Sequence, residues 1–328
     1  MSRRRTSAPA LAAPLCGCAG VQSALVPRGT EAQEIDALFW TVTGVAVVVT
    51  ALVLIATALA LYGPAGWRRF LAADRMVVGG GIVLPVVVLS ALLACGLLVM
   101  QAGAARSRSA EGPGVTITGK RWWWQVVYED RDGRRIVSAN ELRLPVGRPV
   151  AVRLETDDVI HSFWAPQLGG KLDMIPGRTN VLTLEATEAG VSRAQCAEYC
   201  GGAHALMSLY VVALEPSAYD AWLAAEAAPA RPPASEPARR GLQLFLQNGC
   251  GACHAVRGTE AAGTIGPDLT HVGGRLSLGA AALPNDAEAF MRWIADNQHV
   301  KPGNLMPPYR SLSQDELAAI AAYLEGLD

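Results

Sequence analysis

Residues 196–207 read CAEYCGGAHALM: two thiols four residues apart, an imidazole four further on, and a thioether three beyond that. Cys196, Cys200, His204 and Met207 therefore crowd soft metal ligands into one short loop. Sulfur ligands select copper(I), zinc or iron–sulfur clusters, and imidazole suits copper and zinc, so ligand type alone leaves those two metals. The thioether separates them. A structural zinc closes its tetrahedron with Cys and His, whereas a weak axial Met recurs in electron-transfer copper. Two thiols are one more than a mononuclear blue-copper centre needs. If both bridge two coppers, each metal still needs an imidazole, and the second histidine must come from elsewhere in the chain. His161, within DDVIHSFWAPQLGGKLDMIPGRTN, is the candidate. A disulfide or a zinc knuckle would leave both Met207 and His161 without a role.

These residues resemble the CuA-bearing subunit II of haem–copper cytochrome c oxidases, over residues 31–215. The resemblance implies His161 and His204 as one imidazole per copper, Cys196 and Cys200 as bridges, Met207 as one axial ligand and the Glu198 backbone carbonyl as the other. It also implies that the Glu198 carboxylate helps hold magnesium at the boundary with subunit I, and magnesium does take oxygen ligands. An exposed tryptophan near the copper, where electrons arrive, is a further expectation; of Trp122, Trp123 and Trp124, Trp122 aligns best. Asp157 and Asp158 precede His161 and fit a partner interface or a solvated loop equally. The chain departs from the family at Asp74, which reads as a plain loop charge rather than as part of a proton path.

Composition agrees with a membrane portion: 51% of the 328 residues are hydrophobic and only 17% charged. A formal net charge of −1 gives no encouragement to a nucleic-acid reading. From Ala37 to Trp67 no residue is charged, and 38–61 and 77–100 each supply the ~20 apolar positions a bilayer requires. Arg68, Arg69 and Arg75 between them mark a cytoplasmic loop, so the two spans form a hairpin with both ends outside. The start, MSRRR followed by TSAPALAAPLCGC, reads as an export signal. Its LCGC resembles a bacterial lipobox, which implies cleavage after residue 17 and lipid on Cys18. Residues 18–111 are then the periplasmic N-terminal segment and the hairpin.

Short β-rich runs follow (VTITG, RWWWQVVYED, RIVSA, PVAVRLET, NVLTLEAT, LMSLYVVALE), several alternating with period two. They argue for a β-sandwich over 112–215, and the resemblance implies a cupredoxin-like Greek key. Ser217 with Asp220 predicts a capping box opening a short helix, and an Ala/Pro-rich linker completes 216–237. NGCGACHAV then supplies Cys250, Cys253 and His254 as C-x-x-C-H, the haem c attachment signature, in which both thiols form thioethers and the histidine is the proximal ligand. With GTIGPDLTHVGGR after it, Met306 in GNLMPPY as sixth ligand, and a final helix capped by Ser313 and Glu316, residues 238–328 resemble an all-α class I cytochrome c domain.

The expected protein is multidomain: a transmembrane helical hairpin, a cupredoxin-like Greek-key β-sandwich and a cytochrome c domain, in a bacterial plasma membrane with both redox domains periplasmic. No nucleophilic triad, carboxylate pair or phosphate loop is present. The expected function is subunit II of a proton-translocating, caa-type cytochrome c oxidase. It would pass electrons from a cytochrome c or quinol-oxidising complex through haem c to CuA and on to subunit I, with subunit III also a partner and oxygen reduced outside this chain. A CuA subunit of a nitric oxide reductase and a non-catalytic copper/haem electron-transfer lipoprotein are the alternatives.

Overall fold

The computed structural model describes residues 19–109, 114–130 and 132–328; the expected signal at 1–17 and Cys18 lie outside the described residues. Helix α1, Thr30–Tyr62, is followed by two short helices, α2 (Ala65–Leu71) and α3 (Asp74–Val78), and then by α4 (Leu84–Ser109). A π-helical stretch, Gly79–Val83, joins α3 to α4, where three successive glycines remove the side chains that would resist the wider turn. α1 and the helical run Asp74–Gly103 are both long and apolar enough to cross a membrane, and the most apolar window of each has no buried residue. Leu54, Leu89 and Leu93 are each more than 60% exposed, which in water is untenable for so many neighbours and in lipid costs nothing. Asp74 is not in a loop, as the sequence suggested. It opens α3, where a carboxylate favours the positive end of the helix dipole.

Two five-stranded sheets form the sandwich. One runs β3-β2-β1-β5-β8, from Arg135–Ala139, Trp123–Glu129, Val115–Lys120, Val150–Thr156 and Asn180–Leu184. The other runs β4-β10-β9-β6-β7, from Glu141–Pro145, Ser208–Leu214, Gly190–Cys196, His161–Trp164 and Leu172–Met174. Parallel pairs β1/β5 and β4/β10 within otherwise antiparallel sheets give the cupredoxin-like topology that the resemblance implied. Alternation along β5, β9 and β10 sends one face inward, where Ile117, Trp124, Leu154, Phe163 and Leu209 are fully covered. Strands β4, β6, β7 and β9 were not among the runs singled out from sequence. At three to seven residues, with polar positions on the covered face, they carry little periodic signal.

The expected capping box at Ser217 is absent. Glu215 is the N-cap of α5 (Pro216–Glu226), Pro216 opens the helix, and no side chain caps it. Asp220 instead pairs with Arg148 at 3.1 Å. The second domain packs α6 (Glu236–Gln247) and α7 (Ala287–Val300) against α8 (Gln314–Glu325), around Phe245, Val256, Phe290, Ile320 and Leu324. Ser313 and Glu316 do form their capping box at the start of α8.

These two domains are docked rather than strung together. Arg143 donates to the Gly274 carbonyl, Arg257 to that of Val137, the Leu276 amide to the Glu141 carboxylate, and the Ser208 amide to the Ala280 carbonyl. Even the linker is pinned: the Ala230 amide donates to the Arg257 carbonyl and His271 bonds the Ala228 carbonyl.

Candidate redox centres

Strand pairing builds the sulfur cluster. β9 ends on Cys196 and β10 begins at Ser208, and the connecting loop is closed by a 2.9 Å bond from the Cys196 amide to the Met207 carbonyl. β6 lies beside β9 with Phe163 opposite Cys196, and the Ala197 amide donates to the Ser162 carbonyl, so His161 is delivered next to Cys196 across 35 residues of chain. A Cβ at Gly119 would stand 2.8 Å from the His161 ring, so the bare glycine on β1 is what admits the imidazole.

The ligand atoms of His161, Cys196 and Cys200 lie within 4.8 Å of one another, all on buried residues. Each thiol has its own imidazole: Cys196 Sγ is 3.8 Å from His161 Nδ1, and Cys200 Sγ is 3.5 Å from His204 Nδ1. The two sulfurs are 3.8 Å apart. Met207 Sδ is 3.8 Å from Cys200 Sγ, and the Glu198 carbonyl is 3.2 Å from Cys196 Sγ. Two thiols, two imidazoles, a thioether and a carbonyl are more donors than one zinc takes, and the set would fit two copper ions better. The Glu198 side chain is exposed and takes a bond from the Tyr199 amide.

Protonation is polarised across the pair. A hydrogen bond from the Cys200 thiol, helped by His161, pulls Cys196 down to about 3 despite burial, and the same bond holds Cys200 well above the usual thiol range. Two adjacent thiolates repel, so the second proton leaves only when a cation replaces it. Burial alone would lower His161, but bonds to Cys196 and to Asp158 reverse that. Asp158, expected at a partner interface or in a solvated loop, turns its carboxylate inward. It sits 2.8 Å from His161 Nε2, and it takes the Arg121 amide at 2.7 Å. Desolvation would raise it, yet these bonds hold it below the usual carboxylate range. Orienting a ligating histidine through its far nitrogen is a recurrent device of metal sites.

In the second domain Cys250, Cys253, His254 and Met306 line one cavity. His254 Nδ1 donates to the Pro267 carbonyl at 2.8 Å, which frees Nε2 as a ligand, and burial keeps the ring below its ordinary pKa, in the neutral form that ligation needs. Arg275 lines the same cavity at 8% exposure with its Nε unpartnered. A buried, half-satisfied guanidinium is a seat for an anion, and haem carries two carboxylates; together with the ligand set, the cavity fits haem c. Sequence reasoning missed Arg275. Its GGR context was visible but has no periodic or spacing signature.

Arg121, Trp122, Trp123 and Asn140 of the sandwich line this cavity as well. Trp122, expected to be exposed, is 8% exposed: the second domain covers it. Its indole N–H donates to the Cys200 carbonyl at 3.0 Å. Lys301, from the covering domain, is 2% exposed and donates to the Trp122 carbonyl at 2.9 Å; burial pulls its pKa down to about 7.

The chain is similar to cytochrome c oxidase subunit 2 of Alkalihalophilus pseudofirmus, at 42% identity over 213 residues, 65% of this chain and 60% of that one. It is similar to the subunit 2 of Bacillus subtilis at 34% identity over 224 residues, 65% of this chain and 62% of that one. The chain thus spans about three fifths of these relatives' length. Among solved structures, the periplasmic domain of subunit II of cytochrome oxidase (CoxB) of Bradyrhizobium japonicum is 30% identical, covering 36% of this chain and 96% of that one, with a TM-score of 0.33. Residues 125–214 match the family described as cytochrome c oxidase subunit II, periplasmic domain, and residues 238–328 match cytochrome c. The chain thus joins a segment that matches the periplasmic domain of cytochrome c oxidase subunit II to one that matches cytochrome c.

Proposed function

We propose that this chain is the electron-transfer subunit of a caa-type cytochrome c oxidase, carrying electrons from an external donor to a catalytic subunit I in which oxygen is reduced and protons are pumped. The observation that carries the reading is the pairing of two thiols 3.8 Å apart, each with its own imidazole, in one molecule with a C-x-x-C-H cavity that reaches Trp122. Dinuclear copper and haem c, when bound, supply the one-electron chemistry. The protein's residues do the rest.

His161, Cys196, Cys200, His204, Met207 and the Glu198 carbonyl would hold the copper pair. Cys250 and Cys253 would anchor the haem and His254 and Met306 would ligate its iron, with Met raising the potential of such a haem. Asp158 fixes the His161 ring, and burial excludes water from both thiols. Rigid surroundings of this kind limit rearrangement on electron transfer. Trp122 lies between the cavity and the Cys200 carbonyl, so it is a conduit inside the chain rather than a surface port. Ile265 and Leu305 line the cavity and are 65% and 81% exposed, which leaves part of the haem rim for a donor cytochrome.

The Glu198 carboxylate, exposed beside the cluster, is the side chain for magnesium at the boundary with subunit I. The two apolar helices form the membrane hairpin, with 1–17 a signal, Cys18 lipidated, the copper domain at 112–215 and the haem domain at 238–328. Purification of the complex from membranes is the test, with copper, haem and magnesium counted and oxygen uptake measured with reduced cytochrome c. Copper reduction that trails haem reduction, together with oxygen uptake, is the expected result. Nitric oxide consumption without oxygen uptake would assign the chain to a nitric oxide reductase instead.

A further inference from the structure

Lys301 is an unusual residue to find covered. Lysine is almost never fully buried without a partner charge, because removing an ammonium from water costs several kcal/mol. At 2% exposure its two hydrogen-bond partners are both carbonyl oxygens, one in each domain: Trp122 at 2.9 Å and Gly279 at 2.5 Å. A lysine that merely filled the haem-domain core would not reach across to the other domain.

Trp122 is gripped on both sides. A Cβ on Gly201, in the copper loop, would lie 3.2 Å from the indole Cζ2; a Cβ on Gly303, between Lys301 and Met306, would lie 3.3 Å from Cη2. The backbones of the two redox loops therefore close on one indole ring, and the two glycines leave no side chain between. Other interdomain bonds, at Gly274, Leu276, Ala280, Ala281 and Arg257, seat the domain, but the Lys301 bond is made to Trp122 itself.

We propose that Lys301 is a positioning residue that clamps the haem domain onto Trp122, making the indole a bridge shared by the Met306 loop and the Cys200 loop. The clamp rests on geometry alone; its consequence for electron flow rests on the function proposed above. Without it, the Trp122 carbonyl loses its buried partner, water enters the seam, and the gap between the two loops widens. Electron transfer falls steeply with such a gap.

The test uses the full, metal- and haem-loaded chain in detergent, with Lys301→Met, Lys301→Gln and Gly303→Val. Lys301→Met removes the donor at similar length; Lys301→Gln retains one. Two readouts are taken: hydrogen exchange of the backbone around residues 119–124 and 300–304, and the intramolecular haem-to-copper rate after flash reduction. Lys301→Met is expected to raise exchange in both segments and to slow the internal rate at least tenfold. Haem and copper spectra, and haem reduction by an external cytochrome, should stay as in the wild type. Lys301→Gln should recover most of the rate. Gly303→Val inserts a side chain against the indole and, at a φ of +80°, strains the 301–306 loop while sparing the cation, so it should reproduce the loss even if Lys301→Met fails to fold. Wild-type exchange in both the Met and Val variants would overturn the clamp. Raised exchange with an unchanged internal rate would overturn the bridge. A wild-type chain showing no haem-to-copper transfer would count against the proposed function instead, and the exchange data would still decide the clamp.

Discussion

The copper site and the haem site are built in opposite ways. Cys196 and His161 are joined by strand pairing between β9 and β6, and the 197–207 loop is tied at its ends, so backbone hydrogen bonds bring the proposed copper ligands together. The haem ligands instead line an apolar hollow, with Phe245, Phe290, Ile294, Ile320 and Leu324 around it. A β-sandwich has its own core beneath its metal site. In the small helical domain the core residues also line the cavity, so a bound cofactor would extend that core.

The largest effect should follow from removing each cofactor in turn. Blocking haem attachment with Cys250→Ala and Cys253→Ala is expected to abolish cooperative melting of the 238–328 domain. Stripping copper with a chelator should leave the sandwich folded and lower its Tm only by the lost binding energy. Calorimetry of the two preparations decides, and a stably folded haem-free domain would break the contrast.

Cys200→Ser sharpens it from the copper side. The sandwich should stay folded while the shared unpaired electron is lost, so that electron paramagnetic resonance shows hyperfine structure from at most one copper nucleus. A spectrum still showing two equivalent coppers would refute the bridging assignment. Asp158→Asn is milder. It keeps the shape but loses the charge on His161 Nε2, and a fall in copper affinity of about tenfold is expected by competition titration, the low end for such supporting groups.

A pH-dependent effect is expected at the seam. Lys301 has a pKa of about 7 when docked and an ordinary lysine value when free, so docking releases a proton between those limits. Docking should therefore tighten as pH rises through that window, by at most about tenfold per unit, and be insensitive to pH below it. Burial drives this shift and Cys200 opposes it. Protease cleavage at 228–235, compared at neutral and alkaline pH, reads the docked fraction. Lys301→Met should remove the dependence.

How much of this was legible in sequence follows the same divide. Cys196, Cys200, His204 and Met207 lie within twelve residues, and C-x-x-C-H within five, so their chemistry is written locally. Long apolar runs and alternating strands are likewise local patterns. Helix starts were less secure: the helix begins at Pro216 with Glu215 as its N-cap, so Ser217 lies inside the first turn, and proline at the first helical position has no N–H to leave unpaired.

What only the tertiary structure decided is everything that joins distant segments. Gly119 making room for His161, Asp158 turned inward onto its ring, Arg275 waiting in the haem cavity, and Trp122 buried rather than exposed all depend on which surfaces meet. Lys301 is the extreme case. In sequence it is one charge beside a proline, and only docking of the two domains turns it into a buried donor to Trp122, because burial and long-range hydrogen bonding belong to the packed chain and have no period to read.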